Sequence, residues 1–185
     1  MKKGTGLKTI IFSMLLISVI SYAGGVNVSV TEKIKKDRKN TKNEDDHTTV
    51  RTSISKQQST LNITVSNLSK ESATVELEWY FFERNIIKKG RKGDFVVSEK
   101  GTESISLEPK KKIKKTITSK EYQKKEVKTE KNKSNKHDDS GSNKTYKGTT
   151  YAGYVVLLRK DGKIISKRSS ESKLLTKEWL KKLSQ

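Results

Sequence analysis

The 185-residue sequence holds no cysteine, a single proline, two histidines and two tryptophans, and its 21 acidic side chains face 41 basic ones. Without cysteine there is no disulfide, and no lipid can be attached at a cysteine beside a processing site, so a lipoprotein is excluded and stability must come from packing. With no thiol and only His47 and His137, acid–base chemistry near neutrality has few candidates. Long apolar runs are also scarce, and after Ala23 none approaches the ~20 residues that span a bilayer.

The one apolar run, Ile10–Ile20, is too short for a membrane span. It follows Lys2, Lys3 and Lys8 and precedes Ser21-Tyr22-Ala23, with small residues at the −3 and −1 positions of a cleavage site. This pattern predicts a signal peptide over 1–23 cut between Ala23 and Gly24, hence an exported protein, periplasmic or extracellular at the cell envelope. Residues 1–23 hold three lysines and no acid, so the remainder still carries a net +17.

Beyond residue 23 the pattern is one of period two. Val26, Val28 and Val30 alternate with polar residues, as do Val50, Thr52 and Ile54, then Leu61, Ile63 and Val65. In Thr74–Phe82, Val75, Leu77, Trp79 and Phe81 share one face, and Glu76, Glu78 and Tyr80 the other. Such in/out alternation belongs to antiparallel sheets. Further strands are predicted at Asp94–Ser98, Thr102–Leu107, Ile113–Thr118 and Lys163–Ser169, with Pro109 as punctuation. Tyr151–Leu158 is apolar on both faces and predicts a central strand covered on both sides, and Asp161-Gly162 predicts a type I′ hairpin turn after it. Residues 35–47 (KKDRKNTKNEDDH) and 119–146 bury almost nothing apolar and predict mobile, disordered loops. In the tail, 171–185, Leu175, Trp179 and Leu183 mark one helical face, with Ser172 or Thr176 as cap.

The inventory predicts an all-β, antiparallel β-sandwich of about seven to nine strands over 24–170, with a short C-terminal helix and a long disordered loop. The segments Leu61-x-Ile63-x-Val65-x-Asn67, Ser69–Ser72 and Val75-x-Leu77-x-Trp79-Tyr80-Phe81 resemble exported bacterial immunoglobulin-like domains. The resemblance covers roughly Asp46 to Ser170 and implies an adhesive, scaffolding or polymer-binding role without naming an activity.

Trp79, in register with Val75 and Leu77, is expected in the core. Tyr80 and Phe82 lie on the other face, as an exposed aromatic patch or beneath a loop or the C-terminal helix. His47 and His137 sit beside acids, but their spacing fits no metal motif, and Asp138-Asp139-Ser140-Gly141 lacks the alternating oxygens of a calcium loop. No nucleophile–base pair, phosphate-binding glycine loop or catalytic carboxylate pair stands out, although Glu76 and Glu78 share a strand face. The expectation is a protein that is not an enzyme and uses neither cofactor nor metal.

The basic residues are the positive clue. Lys110, Lys111, Lys112, Lys114 and Lys115, with Lys124 and Lys125, form a candidate anion-binding surface for an envelope polymer or a membrane. Lysine far outnumbers arginine, which argues against sequence-specific nucleic-acid recognition. Trp179 and Leu183, on a basic amphipathic tail, are candidates to contact a partner or membrane, or to pack back on the sandwich. The leading expectation is an interaction or structural module of the bacterial cell envelope with an unknown protein or polymer partner. The alternative is an electrostatic binder of an anionic surface.

Overall fold

A computed structural model describes residues 10–14, 25–45, 48–87, 90–131 and 142–183. Among the described residues there are nine antiparallel strands: β1 (Ile10–Met14), β2 (Val26–Glu44), β3 (Thr48–Asn67), β4 (Ala73–Asn85), β5 (Val96–Leu107), β6 (Lys112–Thr118), β7 (Tyr122–Lys131), β8 (Ser142–Lys160) and β9 (Lys163–Ser169). A 3₁₀ turn at Ser172–Leu175 and the helix α1 (Lys177–Leu183) close the described chain. The expected all-β antiparallel fold with a short C-terminal helix is what forms.

The first layer holds β2, β3 and β6, and the second β5, β4, β8 and β9. Between them lie Val26 and Val28 of β2, Leu61, Ile63 and Val65 of β3, and, from the facing layer, Val75, Leu77, Phe81, Ile105, Val156 and Leu158. These are the apolar positions of the period-two pattern, and their removal from water is what drives the layers together. Trp79 packs half-buried against this core, its ring over Gly101, where any side chain would collide with the indole. Asn67 ends β3 by donating to the carbonyls of Glu71 (2.7 Å) and Glu108 (3.1 Å) and accepting from the Ser69 backbone (3.0 Å), so a buried amide replaces the ladder at the turn into β4.

Two expectations need correction. Residues 35–44 are not a loop but the outer half of β2, paired in unbroken register with β3 from Lys35↔Gln58 to Glu44↔Thr49. Most of 119–146 is likewise strand: β7 pairs with β3, and β8 starts at Ser142 beside β7. The outer parts of β2, β3, β7 and β8 thus form a four-stranded arm continuing the first layer beyond the sandwich. Its ordering comes from main-chain ladders, with polar side chains on both faces, and a rule that recognises strands by a buried face cannot see it. The separate strands expected at 50–55 and 61–66 are one strand, β3, and those at 94–98 and 102–107 merge into β5. His47, His137, Asp138, Asp139, Ala23 and Gly24 lie outside the described residues.

β8 joins arm to sandwich, pairing with β7 through Gly148 and with β4 from Thr149 onward. At Gly148 φ is +104° and an added Cβ would stand 2.0 Å from the Gln123 carbonyl oxygen. Gly148→Ala is therefore expected to cost about 1–3 kcal/mol from backbone strain alone, read as a lower urea midpoint.

At the same junction Tyr122 is buried, its hydroxyl 2.7 Å from Ser98 Oγ, with its ring 5.5 Å from that of Tyr151. Tyr151 donates to Glu32, which also accepts from Ser59 Oγ (2.7 Å). Burial, then the nearby Glu32 charge, pushes the Tyr151 phenol upward; burial does the same at Tyr122 and raises Tyr80 and Tyr154 to about 12. A raised phenol pKa leaves stability intact below the ordinary value of 10.0 and removes it as pH climbs through about 12. Tyrosinate absorbance is expected to lag a free phenol and to rise together with the loss of circular dichroism in that window.

The second layer is covered on its far side. Tyr80, Phe82, Val155 and Leu157 lie beneath Leu174, Leu183 and the half-buried Trp179. As expected, then, β8 is apolar on both faces because both are covered. Asp161 (φ 50°) and Gly162 (φ 73°) form the expected turn to β9. The helix begins at Lys177, with the Thr176 hydroxyl accepting from Trp179 N at 3.5 Å.

Candidate anion-binding face

In a strand, alternate side chains share a face, and cross-strand partners point the same way. These rules divide the lysines of the first layer and its arm into two sets. The inner face carries Lys42, Arg51, Lys128 and Lys144 in one cross-strand row, since Lys42 pairs with Arg51, Arg51 with Lys128, and Lys128 with Lys144. This row is interleaved with acid. Glu44 lies 2.5 Å from Lys42, and Glu130 binds Lys128 and lies 3.6 Å from Arg51. The hydrogen bonds from Lys42 and Lys128 hold Glu44 and Glu130 below the usual carboxylate range. A groove of about 480 Å³ runs along this face past Arg38, Lys42, Arg51, Glu126 and Lys128. Its charges are largely answered from within.

The outer face is different. Lys33, Lys35 and Lys39 of β2 share it with Lys56 of β3, Lys112 and Lys114 of β6, Lys125 of β7 and Lys147 of β8. Asp37 is the only acid among the paired positions of this face. Lys56 is bridged to Glu121 at 2.6 Å and Lys35 lies 3.9 Å from Asp37, but Lys33, Lys39, Lys112, Lys114, Lys125 and Lys147 have no carboxylate partner among the described residues. Lys125 stands directly opposite Lys147, and Lys39 reaches the same row across Ile54. Like charges opposite one another destabilise a sheet. Between the lysines are small polar groups, Ser29, Thr31, Asn62, Thr64 and Thr116, with Thr116 donating to Asn62 Oδ1 at 3.0 Å. The 19 residues of β2 give this face a length of about 60 Å at ~3.3 Å per residue.

The structure sorts the expected lysines. Lys112, Lys114 and Lys125 lie on the outer face; Lys110 and Lys111 occupy the exposed turn before β6, where Lys110 donates to the Leu68 carbonyl. Lys115 turns the other way, with Ile113 and Ile117, and bridges to Glu103 at 2.6 Å, tying the edges of the two layers together. Lys124 is on the inner face, 5.2 Å over the Tyr146 ring. Lys33, Lys35, Lys39 and Lys147 were not among the expected residues: Lys35 and Lys39 fall in the segment expected to be a loop, and Lys33 and Lys147 lie between the predicted elements. The odd-numbered spacing 33, 35, 39 was the available signal.

Trp179 and Leu183 are turned inward. Trp179 meets Phe82 (5.6 Å) and Phe95 (6.1 Å) edge-on, and Leu183 is buried with its carbonyl accepting from the Tyr80 hydroxyl at 3.1 Å. Glu78, half of the acidic pair weighed above, is held by Arg159 Nε at 2.6 Å and by the Tyr80 hydroxyl at 3.1 Å, whereas Glu76 is exposed. No cluster of metal-ligating side chains is found among the described residues.

No protein-family model and no curated protein matches the chain. Among solved structures, a β-glucosidase from Kluyveromyces marxianus matches at 13% identity and a TM-score of 0.30, covering 81% of this chain and 14% of that one. The glucose complex of that enzyme gives 12%, 0.27, 78% and 13%. The chain thus spans a small fraction of that enzyme, and likeness at this level carries no functional argument.

Proposed function

We propose that this protein is an exported, non-catalytic interaction module of the bacterial cell envelope, an immunoglobulin-like sandwich whose outer lysine face holds an anionic polymer. The observation that carries the reading is the row in which Lys125 directly faces Lys147, with Lys39 beyond Ile54, none of the three having a carboxylate partner among the described residues. A bound polyanion relieves that repulsion, while on the inner face Glu44 and Glu130 already do so.

Every cation on the outer face is lysine. A point charge on a flexible stem suits repeated anions of variable geometry, whereas planar bidentate recognition favours arginine. The face therefore supports a polymer read by charge and not by base sequence. Adsorption to a membrane is the weaker reading, because the apolar side of α1 is occupied by Phe82, Phe95 and Tyr80.

Inorganic polyphosphate is a suitable probe. Its affinity for the chain is expected to fall about tenfold or more between roughly 50 and 200 mM salt, as counterion release requires for several simultaneous contacts. Affinity independent of salt contradicts the proposal.

A further inference from the structure

Arg84, near the end of β4, is treated by the fold quite differently from Arg159. Arg159 has Glu78 at 2.6 Å, with 14% and 12% of the two side chains exposed. Arg84 has no carboxylate partner among the described residues, and its Nε is buried without an acceptor. A buried donor left unsatisfied is costly, and a guanidinium even more so. Yet the group is held in place, with its central carbon 3.7 Å from the centre of the Phe95 ring, itself fixed edge-on by Phe82 (6.3 Å) and Trp179 (6.1 Å).

Arg84 lines a cavity of about 230 Å³ at the rim of the sandwich. Lys92 and Lys173 also line it, Lys173 with its ammonium 4.6 Å from the Phe95 centre. Two acids are present as well. Glu32 is engaged by Tyr151 and Ser59, and Glu171 lies 3.9 Å from Lys173, so neither answers Arg84.

We infer that this cavity is a binding site for a small oxyanion-bearing ligand, a carboxylate or phosphate monoester, received by Arg84 with Lys92 and Lys173 around it. A planar fork meets either oxyanion through two parallel hydrogen bonds. The volume, below that of sites for drug-sized molecules, limits the ligand to a few heavy atoms beyond the anion. The site lies apart from the outer lysine face and does not depend on it.

The test is calorimetric titration of the full chain with inorganic phosphate and, separately, malonate, at fixed ionic strength. One equivalent is expected to bind, and the stronger of the two probes identifies phosphate or carboxylate as the preferred class. Arg84→Met is expected to abolish binding, and Arg84→Lys, which keeps charge without the fork, to weaken it at least about tenfold. Lys163→Gln, outside both the cavity and the outer lysine face, should bind as the parent does. If Arg84→Met does not fold, Arg84→Lys alone decides. Unchanged binding in the Arg84 variants, equal loss with Lys163→Gln, or no uptake of either anion by the parent overturns the inference.

Discussion

Replacing Lys39, Lys125 and Lys147 together by glutamine is expected to weaken polyphosphate binding about 100-fold at low salt, while leaving the protein as stable as before or slightly more so. A lysine beside an anionic surface contributes about 1 kcal/mol, so three give about 3 kcal/mol, and each 1.4 kcal/mol is a factor of ten. The stability expectation has the opposite sign because Lys125 and Lys147 are direct cross-strand partners, and removing either removes a repulsion. The matched inner-face variant, Lys42, Arg51 and Lys128 to glutamine, is expected to behave in reverse. It strands Glu44 and Glu130 without their partners and lowers stability, with little effect on binding. Equilibrium binding and urea unfolding of both variants separate a functional face from mere excess charge.

The second large effect is structural. Arg159→Met is expected to cost about 3–5 kcal/mol in urea unfolding, because Glu78 is left buried without its counter-charge. Adding Glu78→Gln should recover much of the loss, since the charge is then gone as well. The Tyr80 hydroxyl, 3.1 Å from Glu78 and 3.1 Å from the Leu183 carbonyl, links this pair to the last turn of α1. The single variant should therefore also loosen the helix and expose Phe82 and Leu157, detectable as increased binding of a hydrophobic dye. A full-cost loss in the double variant would mean that Arg159 acts through its packing and not through the pair.

How far the sequence could be read follows from what each strand buries. Val26, Val28, Leu61, Ile63, Val65, Val75 and Leu77 lie on a wet/dry boundary, and alternation revealed them. Tyr151–Leu158, covered on both sides, stood out for the opposite reason, as an uninterrupted apolar run. The arm has no dry face. Residues 36–44 and 122–131 are strands because their main chains pair with β3, and composition alone cannot distinguish such a ladder from a solvated loop. That blind spot hid the candidate site. Lys112, Lys114 and Lys125 could be named, but a cluster reading also took in Lys115 and Lys124, whose parity turns them inward. The extra residue between β6 and β7 that changes this parity, with Ser119 and Ser59 bonded to each other, has no signature in the sequence. Arg84 escaped because its meaning lies in the absence of an acid beside it, which only the packed structure reveals.

Polyanion binding by the outer lysine face is the central claim, and lysine reactivity tests it directly. Amine-selective labelling of the full chain, followed by mass spectrometry, should show Lys33, Lys39, Lys112, Lys114, Lys125 and Lys147 protected by polyphosphate, while Lys160, Lys163 and Lys181 keep their reactivity. Protection spread evenly over all exposed lysines, or concentrated on Lys160, Lys163 and Lys181, would contradict it.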